Sequence, residues 1–261
     1  MPTVWKPTRT QAITLLQVGK WIAFPVLTLP GNVLLPGVLA KVLFMLVCLL
    51  LFVALGAWEQ SLRRQFVRQA ALPGFLAAKL REQYPQLSAS DVDLVLRGLR
   101  QFFMAHLRSR RSFVAMPSAV VDAAWHAFIL HTRAYEVWCR SAFGKLLHHT
   151  PAEALGRNPR RNDGLRRTWY WACQEESINP RTPSRLPLLF ALDKKFAIAG
   201  GFVYLPDCRD INRQADTGTH CGSAFSESGG ASGDAQGFGG SESTSDGGDG
   251  GGGDGGGGGG D

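Results

Sequence analysis

The chain has 261 residues, with 28 Lys and Arg against 21 Asp and Glu, 31 glycines and five cysteines. Cys48, Cys139, Cys173, Cys208 and Cys221 are odd in number and scattered, with no CxxC pair; this excludes a disulfide-dense secreted scaffold and favours a reducing compartment. All 28 basic residues and 13 of the acidic ones lie in residues 1–213, a net +15, and the remainder carries −8. Such polarity suits a negatively charged membrane surface better than nucleic acid.

The chain divides into an N-terminal segment over 1–37, a membrane helix over 38–58, a helical domain over 59–213 and an acidic Gly/Ser-rich tail over 214–261. In the first segment, Pro25, Pro30, Gly31, Pro36 and Gly37 interrupt an apolar run. They predict that it is not one regular helix; an interfacial stretch, a re-entrant stretch and a poor second span all fit. Residues 42–58 are uncharged and mostly large and apolar. With 38–41 added, the segment reaches the roughly 20 residues that cross a bilayer. Lys41 can snorkel to one interface and Trp58 lie at the other. Arg63, Arg64 and Arg68 follow closely, and this basic bias places the C-terminal domain of a single-pass protein in the cytoplasm.

Beyond the span, the apolar helix continues into water through residues 60–71 and breaks at Leu72-Pro73-Gly74. A short helix covers 75–84. The next begins near Ser90, a candidate N-cap, and carries a stripe of Val92, Val95, Leu96, Leu99, Phe102, Phe103 and Leu107 at helical spacing. His106 lies on that stripe as a core histidine. Residues 165–177 and 187–196 read as two further helices, and Phe202-Val203-Tyr204 as a short strand or extended arm. From Thr217 onward the composition is of low complexity, with 19 of the 31 glycines between Gly222 and Gly260. A segment this poor in apolar area cannot offset its ordering entropy, so disorder is expected.

The segment 116–151 carries the most chemistry, with His126, His131, His148 and His149, Trp125 and Trp138, and Cys139. Ser118 caps a helix expected to run unbroken to Phe143 and stop at Gly144. Trp125, Tyr135, Cys139 and Phe143 lie on its packing face, so Cys139 is a core residue rather than a nucleophile. Asp122 and His126, four apart, can touch. A carboxylate beside an imidazole fixes its tautomer and raises its basicity, which suits a metal ligand or a general base. His148 and His149 follow the turn at Gly144 and can fold back, so the candidate site is Asp122, His126 and His148 or His149. The candidate cofactor is a divalent metal. His131 points elsewhere on the helix.

The run VDAAWHAFILHTRAYEVWCRSAFGKLLHHTP, with LPLLFALDKKFAIAGGFVYLPDC and the glycine tail, resembles the glycine-rich domain-containing protein-like family in its bacterial form. The resemblance spans residues 70–260 and implies a helical domain, with no mechanism attached. Where many members read Trp-His-x-His, Phe128 takes the second histidine's place. The lone tail cysteine, Cys221, does not support a cysteine-rich metal-binding tail. The leading function is therefore a membrane-anchored binding or scaffold module whose partners are the membrane, anionic lipid or a protein. The alternative is a metal-dependent enzyme acting through Asp122, His126 and His148 or His149.

Overall fold

The computed structural model describes residues 7–110, 112–149, 163–206, 219–222 and 225. The protein is mainly α-helical. Among the described residues α1 (Pro7–Leu34), α2 (Val38–Gln69), α3 (Phe75–Gln83), α4 (Ala89–Arg108), α5 (Ala119–Leu130), α6 (Thr132–Phe143), α7 (Asp163–Glu175) and α8 (Leu188–Lys195) precede or flank one small sheet. The sheet pairs β1 (Val203–Leu205) with β2 (Thr219–Cys221) in parallel, Tyr204 opposite His220. Apart from residues 219–222 and 225, the expectation of a disordered tail concerns residues that lie outside those described.

The N-terminal segment departs from its expected irregularity, because α1 runs through both Pro25 and Pro30. In water each proline would cost the helix about 3 kcal/mol. Apolar helices packed on a neighbour tolerate them, since the freed backbone groups are satisfied locally. Here the neighbour is α2, against which α1 folds back as an antiparallel hairpin. Phe24 and Trp21 pack edge-on against Phe52. Gly31 lies so close to Phe44 that a Cβ would come within 2.2 Å of its ring. Both helices are long and apolar enough to cross a membrane, and their outward faces, Leu29, Val33, Leu39 and Leu49 among them, are exposed.

A buried polar cluster joins this hairpin to the helical domain. Lys20 donates to Glu59 at 2.6 Å and Arg63 donates to the other Glu59 oxygen at 2.9 Å. Arg63, fully buried, also donates to the carbonyls of Arg140 and Ser141 at the end of α6 and to Gln17 of α1. Arg63 is therefore a structural ion as well as part of the basic flank. Its burial is compatible with a stable fold because Glu59 and three further acceptors satisfy its guanidinium.

Helix α4 is the axis of the domain. Its start is Ser88 rather than Ser90: the Ser88 hydroxyl accepts from Asp91 N and the Asp91 carboxylate accepts from Ser88 N. Leu87 and Val92, before and inside this capping box, are both buried, the positions of a hydrophobic staple. Phe102, Phe103, Trp125, Trp138 and Phe143 form the aromatic centre, with Phe103 and Trp138 centroids 4.6 Å apart. Gly98 admits α8, where a Cβ would meet Leu192 at 2.6 Å. Past residue 213, Phe225 is buried against Trp169 and Phe190, so this part of the C-terminal segment belongs to the core. Cys221 is disulfide-bonded, which corrects the reading of the cysteines as uniformly reduced; Cys48, Cys139 and Cys173 are free and buried.

Candidate metal centre

Helix α5 sets the first two donors. Its N-terminus is held from outside by Asp193, which is buried and accepts from the Ser118 hydroxyl at 2.7 Å, Ala119 N at 2.7 Å and Val120 N at 3.2 Å. A carboxylate at orphan N–H groups of a first turn is favoured by both hydrogen bonding and the helix dipole. One turn on, Asp122 Oδ2 lies 3.3 Å from His126 Nδ1. The same ring nitrogen is 3.0 Å from the Asp122 carbonyl oxygen.

The third donor arrives through a break that the sequence reading did not expect. Instead of one helix to Phe143, α5 ends at Leu130 and His131 adopts φ −90°, ψ 62° before α6 begins. In an unbroken helix Trp125 and Tyr135 would stand about 15 Å apart along the axis. The bend brings them together, and the Trp125 indole N–H donates to the Tyr135 hydroxyl at 3.0 Å. That hydroxyl donates in turn to the Leu147 carbonyl at 2.6 Å. Gly144 supplies the left-handed turn, φ +80°, that sends the chain back. The result is that His149 packs on Trp125, centroids 4.6 Å apart, with Nε2 3.0 Å from Asp122 Oδ1.

Asp122, His126 and His149 thus offer one ligand atom each, all within 4.8 Å of one another. A tetrahedral zinc with bonds of about 2.0–2.2 Å has ligand–ligand edges near 3.4 Å. The ligand atoms would have to close by at most about 1.4 Å to meet that figure. Two imidazoles and one carboxylate are a donor set for zinc or a similar divalent transition ion. The His149 side chain is largely covered at 17% exposure, Asp122 is at 30% and His126 is open at 52%, so a fourth position would face solvent. On that side, Asp122 and His126 line a groove of ≈ 730 Å³ shared with Lys79, Glu82 and Tyr84. Burial, then the negative charges of Asp193 and Asp122, raise the Tyr84 phenol above its ordinary range, keeping it a hydrogen-bond donor.

The other predicted residues separate cleanly. His148 is exposed and stands outside the cluster. His131 stacks on Phe75 at 3.7 Å and places Nδ1 3.0 Å from the Ala127 carbonyl. Burial pushes the Cys139 thiol up to about 11 and raises the Tyr135 phenol well above its usual range; neither is ionised at neutral pH. Tyr84 and Asp193 escaped the sequence reading. Tyr84 sits before Pro85 as an ordinary helix end, and Asp193 lies in an amphipathic run, with no local pattern pointing to α5.

A family model described as UCP032817-like matches residues 62–225, from the start of the packed domain to the buried Phe225. No curated protein and no solved structure matches the chain. The chain belongs to the UCP032817-like family.

Proposed function

We propose that this protein is a membrane-anchored helical module that binds a divalent transition metal through Asp122, His126 and His149. The observation carrying this reading is the convergence of three ligand atoms from two separate segments, with the third held by the Trp125–Tyr135–Leu147 relay. Binding, rather than catalysis, is the minimum the donor set supports; a metal-dependent enzyme would also need a substrate group seated in the groove beside Tyr84. The finer likeness to glycine-rich domain-containing proteins implies a helical domain and adds no mechanism.

The test is metal analysis of the full chain purified in neutral detergent. Near-stoichiometric zinc or a neighbouring transition metal is expected in the parent and in His148→Ala, and loss of it in His126→Ala and Asp122→Asn. A metal-free parent that takes up no added zinc would leave only the hydrogen-bonded staple between Asp122 and His149, and the metal reading would fall.

For the anchor, α1 and α2 enter the bilayer together as a hairpin, with both ends of the hairpin on one side. A single pass by α2 alone would leave the exposed apolar face of α1 in water. The Lys and Arg at the hairpin's open end favour the cytoplasmic side for the domain. The disulfide at Cys221 favours the opposite reading, an oxidising compartment. Labelling a cysteine introduced at exposed Glu82 with a membrane-impermeant maleimide in intact cells distinguishes them: protection supports the cytoplasmic side, and labelling overturns it.

A further inference from the structure

A second site lies between α2, the end of α4 and α7, at the level where the hairpin leaves the apolar layer. A groove of ≈ 640 Å³ is lined by Gln60, Arg64, Leu107, Arg108, Arg110 and Trp171. Gln60 and Arg64 lie two and six residues beyond Trp58, the last residue of the apolar run. Along a helix that is about 3 Å and 9 Å past its end, from within a headgroup layer roughly 5–8 Å thick to its outer edge. The groove therefore opens where phosphates lie when α2 is in a membrane.

Its charge is not balanced from within. Arg68 and Arg108 share a single carboxylate, Glu175, at 2.8 and 3.0 Å. Among the described residues Arg64 and Arg110 form no ion pair, and both are exposed. Burial acts first on the Arg108 guanidinium, and Arg68 and Arg64 add repulsion against the pull of Glu175, so its pKa falls below the usual range. Arg108 lies 5.5 Å from the Trp171 ring centroid, a stacking that fixes the guanidinium in place. Guanidinium groups recognise phosphate oxygens through paired N–H donors, and tryptophan is at home at the headgroup level. We propose that this groove is a binding site for the phosphate of an anionic phospholipid headgroup, with Arg64, Arg108 and Arg110 as its ligands.

This rests on the membrane anchoring proposed above, and the experiment separates the two. The full chain is first tested for retention in the membrane fraction through a carbonate wash; release would remove the anchoring and the site with it. The retained protein, in neutral detergent, is offered equal phosphatidylglycerol and phosphatidylcholine, and bound lipid is counted by native mass spectrometry. The expected result is preferential retention of phosphatidylglycerol. Arg64→Gln/Arg110→Gln should weaken that preference by about 30-fold, from roughly fivefold for each arginine removed beside an anionic surface. Melting temperature should not change, since neither side chain holds the fold together. Equal retention of the two lipids, an undiminished preference in the double variant, or displacement of phosphatidylglycerol by millimolar inorganic phosphate would each overturn the lipid site.

Discussion

Tyr135→Phe tests the device that builds the proposed metal centre. The hydroxyl accepts from the Trp125 indole at 3.0 Å, donates to the Leu147 carbonyl at 2.6 Å and also contacts the Cys139 thiol. Deleting it removes one net hydrogen bond, worth about 1 kcal/mol, and strands the buried Trp125 N–H, at about 1–3 kcal/mol. The ring itself stays, so no cavity term is added. The expected loss is roughly 2–4 kcal/mol, and at about 2–4 °C per kcal/mol for a domain of this size the midpoint should drop by about 4–16 °C. The second effect is on the loop. Leu147 lies two residues before His149, so a released carbonyl lets the third donor wander, and zinc affinity should fall by about 10–100-fold, the usual cost of losing a group that orients a ligand. Thermal unfolding of the metal-free protein and zinc titration against a chromophoric chelator read the two effects separately. If the midpoint is unchanged, the relay carries no stability and the argument fails. If stability falls but zinc affinity does not, the relay supports the core without positioning His149.

Asp193→Asn should be costlier than its size suggests. Asn offers one acceptor oxygen where Asp193 accepts from the Ser118 hydroxyl and the N–H groups of Ala119, Val120 and Phe202. At least one N–H is left facing an amide N–H, and a loss of about 3 kcal/mol is expected in chemical denaturation; less than 1 kcal/mol would show that solvent replaces the carboxylate. The buried thiols predict an alkaline limit. Burial holds Cys139 at about 11 and Cys173 at about 12, against 9.0 when unfolded. The unfolded chain therefore loses these protons first, and stability that is full below pH 9 declines as the pH rises toward 11–12. Denaturation midpoints flat from pH 8 to 11, or rapid thiol labelling of the native protein at pH 8, would contradict this.

The helices were legible because burial imposes a period of 3.6 on α4, α7 and α8, and the stripe of Val92, Val95, Leu99 and Phe102 follows it without exception. Two local signals misled. Pro25 and Pro30 carry their aqueous penalty in any sequence reading, yet α1 lies along an apolar partner that a one-dimensional pattern does not contain. The run from Ser118 to Phe143 keeps apolar residues on one face, which reads as a single helix. The same face is obtained from two helices bent at His131, and only the pairing of Trp125 with Tyr135 distinguishes the alternatives. At the site, the Asp122–His126 spacing made one half visible. The choice of His149 over His148 depended on a loop direction set by Gly144 and Leu147. Asp193 and the β1–β2 pairing join residues far apart in sequence, where no periodicity reports them.

The metal centre and the anchor share a structural element, and this links the proposed activities. Arg63, rising from the membrane end of α2, donates to the last carbonyls of α6 at Arg140 and Ser141. Gly144, immediately beyond, approaches the same guanidinium so closely that a Cβ would lie 3.2 Å from Nη2. Gly144 begins the loop that delivers Leu147 to Tyr135 and His149 to Asp122. The buried charge that fastens the hairpin to the domain thus also fixes the origin of the ligand-bearing loop. Because Arg63 shares Glu59 with Lys20 of α1, a change in how the two hairpin helices sit reaches that origin through two ion pairs and one helix end. The origin of the loop that carries His149 is thus fixed by the hairpin as well as by the aromatic core, which under the proposed function ties the candidate metal site to the proposed anchor.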